Sequence, residues 1–130
     1  MNYDFAKKKD LLAGIVSGDK FKLEEFINEL QGFCLGLRLT HWKTTSFELH
    51  KAVELTQGTL EGLMDDFVEA FVGMNGGVRP AFVQEVKASN DEDAMIECLK
   101  GISVRDTSIL NIRDEMLQAV YKLKYLKTLV

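Results

Sequence analysis

A single proline, Pro80, interrupts 130 residues. Proline lacks an amide hydrogen and clashes with the preceding helical turn, so its rarity leaves nearly the whole chain free to be helical. The apolar spacing uses that freedom. Leu23, Phe26, Ile27, Leu30, Phe33 and Leu37 recur at three and four residues, the repeat of one buried helical stripe. This predicts a helix from around Lys20 to Thr44.

Thr44-Thr45-Ser46 then breaks the pattern, and Thr45 with Glu48 three residues on has the form of a capping box that opens a second helix. So short a corner makes the two helices antiparallel neighbours. The second helix carries Leu49, Val53, Leu60, Leu63, Met64, Phe67 and Phe71 on one face and runs to Gly73. From Gly73 to Pro80 the glycines of Met74-Asn75-Gly76-Gly77 mark a loop. Between Ala81 and Asn90 the pattern is ambiguous, and Phe82, Val83 and Val86 fit a turn or two of helix lying across the bundle.

Ser89 with Glu92 repeats the capping-box form and opens a short third helix through Ile102. A last helix is expected from Asp106-Thr107 to the end, with Ile109, Ile112, Met116, Val120 and Leu123 inward. Lys122, Lys124 and Lys127 fall in its final turns, where positive charge complements the helix dipole. A further short helix around Phe5 to Val16, closed by Ser17-Gly18-Asp19, is compatible with the N-terminal pattern. The order of elements suits an all-α four-helix bundle in one domain over residues 1–130, with a long crossover connection between the second and third helices.

A net charge of −4 argues against nucleic-acid binding by the surface as a whole, because neutralising phosphate needs a basic excess. The one dense basic run, Lys7-Lys8-Lys9, sits between Asp4 and Asp10 and reads more readily as a solvated end than as a DNA contact. No apolar run is long enough to span a bilayer and no charged-then-apolar leader is visible, so a soluble, cytoplasmic protein is expected. Cys34 and Cys98 are far apart in apolar, helical surroundings. They read as small buried hydrophobes rather than as a disulfide or a zinc site.

Candidate metal ligands gather at His41 and along the second helix at His50, Glu54, Asp65 and Glu69. His50 and Glu54 are four residues apart, as are Asp65 and Glu69, so each pair shares a helix face. Fifteen residues separate His50 from Asp65, which returns to within about 60° of the same side at a distance of about 22 Å along the axis. One chain therefore cannot bring both pairs to one ion. An antiparallel copy across a twofold axis can, setting Asp65 and Glu69 of one subunit against His50 and Glu54 of the other. Imidazole with carboxylates and open positions suits iron better than a closed zinc site. Against this stands the plain alternative that acids four apart on a helix are solvated surface charge.

The run LRLTHWKTTSFELHKAVELTQGTLEGLMDDFVEAFVGMNGG, from Leu37 to Gly77, resembles the Dps mini-ferritins, the DNA protection proteins of starved cells. That family ends its first helix with a His-Trp pair, then shows Phe-x-x-Leu-His, an acid four residues on, and Asp-x-x-x-Glu. Here the matching residues are His41-Trp42, Phe47 to His50, Glu54, and Asp65 with Glu69. A weaker likeness extends through Gly76, Gly77 and Pro80 and into Asp106 to Leu129. The resemblance implies a ferritin-like fold and a homo-oligomer, at least a dimer and at most a hollow dodecamer. It also implies iron bound between subunits, with His41, His50 and Glu54 facing Asp65 and Glu69 of a partner. His50, Asp65 and Glu69 would then serve ferroxidase chemistry with peroxide or oxygen.

The sequence departs from the family in three places. The corner between the two histidines is shorter, and the reach of His41 to the shared site turns on it. Glu54 stands where aspartate is usual, and the third helix with the connection before it is abbreviated. Trp42 reads as a core or interface aromatic, with a second option as an electron donor beside an oxidising site. Two further readings are carried: a non-catalytic helical bundle used as a structural or interaction module, and DNA binding through Lys7 to Lys9.

Overall fold

The computed structural model describes residues 21–82 and 85–130. The expected N-terminal helix, Lys7 to Lys9 and Val83 lie outside the described residues. Among the described residues four helices form: α1 (Leu23–Lys43), α2 (Phe47–Met74), α3 (Glu92–Lys100) and α4 (Thr107–Lys127).

Helix α1 starts at Leu23 rather than at Lys20. Lys22 precedes it in an extended conformation without a side-chain cap, and Glu24 with Glu25 supplies negative charge to the first turn instead. The caps of α2 and α3 lie one and two residues later than the capping-box pattern suggests. Ser46, not Thr45, accepts from the Leu49 amide at 3.2 Å. Asp91, not Ser89, accepts from the Ala94 amide at 2.9 Å, while the Ser89 hydroxyl accepts from the Asp91 amide at 3.2 Å. Each site offers several adjacent oxygen-bearing side chains, and backbone geometry decides among them. Helix α3 stops at Lys100, two residues short of the expected Ile102.

Helices α1 and α2 run antiparallel, with Phe26 near the start of α1 packed on Phe67 near the end of α2 at 4.9 Å between ring centroids. Helix α2 packs on α1 and α4, and α3 packs on the same two helices. Lys124 and Lys127 near the end of α4 pair with Asp93 and Glu92 at the start of α3, at 2.6 and 3.0 Å. All four helices supply the core, in which Leu30, Leu60, Phe67, Leu99, Met116 and Val120 are fully enclosed. Arg38 bridges to Glu61 at 2.9 Å, and Gln57 donates to the same carboxylate at 3.2 Å, bracing α1 against α2.

After α2, Gly76 and Gly77 turn the chain at positive φ, and the Gly77 amide returns to the Val72 carbonyl at 2.8 Å. The described part of 81–90 is not helical. It lies against α1 instead: the Ser89 amide donates to the Gly32 carbonyl at 3.0 Å. A Cβ added at Gly32 would sit 2.4 Å from the Lys87 carbonyl oxygen, and one at Gly36 would sit 2.0 Å from that of Ser89. The two glycines, one helical turn apart, thus form the bed of the connection. A helical turn at 85–90 would lift those backbone atoms off it.

Candidate metal centre

The site forms where α1 ends and α2 begins. The Thr44 amide returns to the Thr40 carbonyl at 3.0 Å, the Thr44 hydroxyl accepts from the Ser46 amide at 3.1 Å, and Ser46 caps α2. Three residues thereby reverse the chain. They set the last turn of α1 beside the first turn of α2, with one histidine on each.

The two imidazoles stack at 3.8 Å between centroids and 21° between planes. Each also bonds to the backbone of the other's residue. Nδ1 of His50 lies 2.9 Å from the His41 carbonyl oxygen, and Nδ1 of His41 lies 3.3 Å from that of His50. A carbonyl has no hydrogen to give, so each Nδ1 is the donor and carries the proton. In the neutral ring Nε2 is then left with its lone pair. Such carbonyl contacts are the usual means by which a protein fixes the tautomer and direction of a metal-binding histidine.

Glu54 stands one turn beyond His50 and completes a trio. A nitrogen from each imidazole and a Glu54 carboxylate oxygen all lie within 4.8 Å of one another. A first-row ion at about 2.1 Å from its ligands holds them roughly 3–4 Å apart. Imidazole donates in its ring plane, so seating one ion on the trio takes a turn of one stacked ring as well as a shift of Glu54. Glu54 is exposed and free to make that shift, since its ion pair with Lys51, at 3.3 Å, is between solvated groups. The trio is a possible metal-binding cluster. His41 reaches His50 and Glu54 despite the shortened corner, because the tight turn stacks the rings.

Asp65 and Glu69 are exposed on the same unbroken helix, farther along its length, and are not part of the trio. The five candidate ligands therefore divide three and two: the spacing keeps the pairs His50–Glu54 and Asp65–Glu69 apart, and the corner brings His41 to the first. Trp42 is not a core residue: it is 68% exposed, on the outward side of the last turn of α1. Phe47, 69% exposed, stacks on the outer side of His50 at 6.4 Å, with the Lys51 ammonium 5.7 Å from its ring. The sequence drew attention to Phe47 only as part of a motif. Its place at the very start of α2, before the apolar stripe begins, is the signal that it would face outward.

Cys34 is buried and Cys98 half-buried, and both are free thiols. Burial, then the Glu61 carboxylate, pushes the Cys34 thiol up to about 12 against the opposing pull of Arg38. Burial and Glu29 push Cys98 up to about 11. Both are protonated thiols at neutral pH. Among the described residues no helix is long and apolar enough to cross a membrane. Comparison with family models, curated proteins and solved structures returned no match.

Proposed function

We propose that the protein binds ferrous iron at a site shared between two subunits and oxidises it, in the manner of a Dps-like mini-ferritin. The observation that carries this reading is the stacked histidine pair. Both rings are anchored through Nδ1 to backbone carbonyls, and the Glu54 carboxylate stands within 4.8 Å. Two oriented nitrogens and one carboxylate are a donor set with open positions suited to ferrous iron. Asp65 and Glu69 of the partner subunit would complete it.

Iron is substrate here. Two ferrous ions each give up one electron; peroxide accepts both, its O–O bond breaks, and two hydroxides form. The protein's part is to hold the ions against anchored imidazoles and to surround the developing ferric charge with carboxylates. The ferritin-like arrangement with its crossover belongs to the same reading. Its support is that the chain before α3 bonds to α1 at both Gly32 and Thr40, the latter from the Thr40 hydroxyl to Asn90 at 3.2 Å. A homo-oligomer follows from the divided ligand set.

The second reading, a non-catalytic bundle serving as an interaction or structural module, is favoured by the Lys51–Glu54 pair and by the exposure of Asp65 and Glu69, all ordinary for a solvated face. Anaerobic calorimetry with Fe2+ separates the two, followed by stopped-flow oxidation with peroxide and with oxygen. Saturable Fe2+ binding is expected, with oxidation faster than in buffer and lost on changing Asp65 and Glu69 together to alanine. An unmodified chain that binds no Fe2+ leaves the interaction module standing.

A further inference from the structure

Helix α2 turns one continuous face to solvent, and two mid-helix glycines, Gly58 and Gly62, stand on it. Among the described residues nothing lies within 4 Å of where a Cβ would be at either position. Glycine is a poor residue for a helix interior, and no described residue approaches these two closely, unlike Gly32 and Gly36 under the connection. A bare strip of this kind admits a second backbone. Its position is informative, since Gly58 and Gly62 straddle the midpoint between Glu54 and Asp65. An antiparallel copy of α2 crossing at the glycines sets Glu54 of each subunit against the partner subunit's Asp65.

The charges on that face oppose the contact. Glu54, Asp65, Asp66 and Glu69 are exposed on it with Lys51 as the opposing cation, so pairing brings carboxylate to carboxylate near the crossing. A divalent ion on the trio reverses the sign of one side. We propose that a divalent cation seated on His41, His50 and Glu54 of a single chain switches on the pairing of two copies through the outer face of α2, with the helices crossing at Gly58 and Gly62. The inference rests on reading those three residues as metal ligands and adds the order of events: the cation is held first, and association follows.

The test uses the full chain, stripped with EDTA, in sedimentation velocity with and without Co2+, whose ligand-field absorption reports binding. A monomer is expected without the cation, and a dimer or larger assembly with about one Co2+ per chain. Gly62→Leu, at an open position, is expected to bind Co2+ and remain monomeric. The Asp65→Ala/Glu69→Ala variant is expected to bind Co2+ as well, because the trio needs no partner to seat the ion. A dimer both with and without Co2+ overturns the switch and leaves the shared iron site standing, a monomer in both overturns the switch and the sharing of the site, and failure to bind Co2+ overturns the metal reading as well. Association that survives Gly62→Leu overturns the choice of face, and loss of Co2+ binding in the acid-pair variant overturns the order.

Discussion

The His50 ring lies on the His41 ring and donates its Nδ1 hydrogen to the His41 backbone carbonyl at 2.9 Å, so the same side chain both ties the α1–α2 corner and keeps its other ring nitrogen free of that bond. Its replacement should report on both roles. His50→Ala is expected to weaken Co2+ or Fe2+ binding by more than the roughly 10–100-fold that follows loss of an outer-shell partner. It should also lower unfolding free energy by about 1–2 kcal/mol through the lost hydrogen bond and ring contact. Metal titration and urea denaturation of one preparation give both numbers. Wild-type metal affinity in this variant would remove His50 from the ligand set.

The two pairs of helical glycines should respond in opposite directions. Gly36→Ala puts a methyl group where the Ser89 carbonyl oxygen already sits. The connection has to move, and a loss of about 1–3 kcal/mol is expected. Gly62→Ala meets nothing among the described residues. It should stabilise the metal-free protein by about 0.5–1 kcal/mol, the ordinary gain of alanine over glycine in a helix. Urea midpoints of the two variants beside the parent decide the matter.

Asp106 caps α4, and its dependence on pH has a defined sign. Its carboxylate accepts from the Ser108 hydroxyl and from the Ile109 and Ser108 amides, the first of these being the largest cause of a pKa held below the ordinary 3.8. A carboxylate depressed in the folded state stabilises it fully above 3.8 and loses that contribution as the pH falls below it. Asp106→Ala should therefore cost about 1 kcal/mol at neutral pH, the usual effect of removing such a cap. The difference from the parent should shrink progressively below that value. Urea titrations across the acid range measure it.

Both thiols should be slow toward aromatic disulfide reagents in the native state. With the Cys34 thiol near 12 and the Cys98 thiol near 11, the thiolate fraction at mildly alkaline pH is very small. Cys34, the more buried, should lag behind Cys98. Two thiols per chain should react once denaturant is added, and fast native reaction at Cys34 would contradict its burial.

The helices were legible because their signal is periodic: the Leu23 to Leu37 stripe and the Leu49 to Phe71 stripe are both inward in the structure, though Leu49, Leu63 and Met64 are only partly covered. Cap positions were less legible, since Thr44, Thr45 and Ser46 all carry a usable oxygen and only the backbone selects Ser46. The separation of His50 and Glu54 from Asp65 and Glu69 followed from helical rise alone, whereas the place of His41 beside the first pair did not. The tie between each Nδ1 and the opposite carbonyl did not, because it depends on how tightly the corner closes. Phe82 and Val86 suggested helix from composition, but the bed provided by Gly32 and Gly36 on another element decided that segment. The core reading of Trp42, though not the interface one, failed for a related reason: an aromatic ring carries no mark of which side of a helix terminus it will occupy.

Helix α2 is at once a ruler and a protractor. It runs without a break through His50, Glu54, Asp65 and Glu69, so chain length alone fixes the span between its imidazole end and its acid end. One residue inserted near Gly58 would swing the acids by about 100° while moving them only about 1.5 Å. Seven inserted residues would restore nearly the same bearing at about 10 Å greater reach. Substitutions along this rod are thus easily absorbed, whereas a change of register is not.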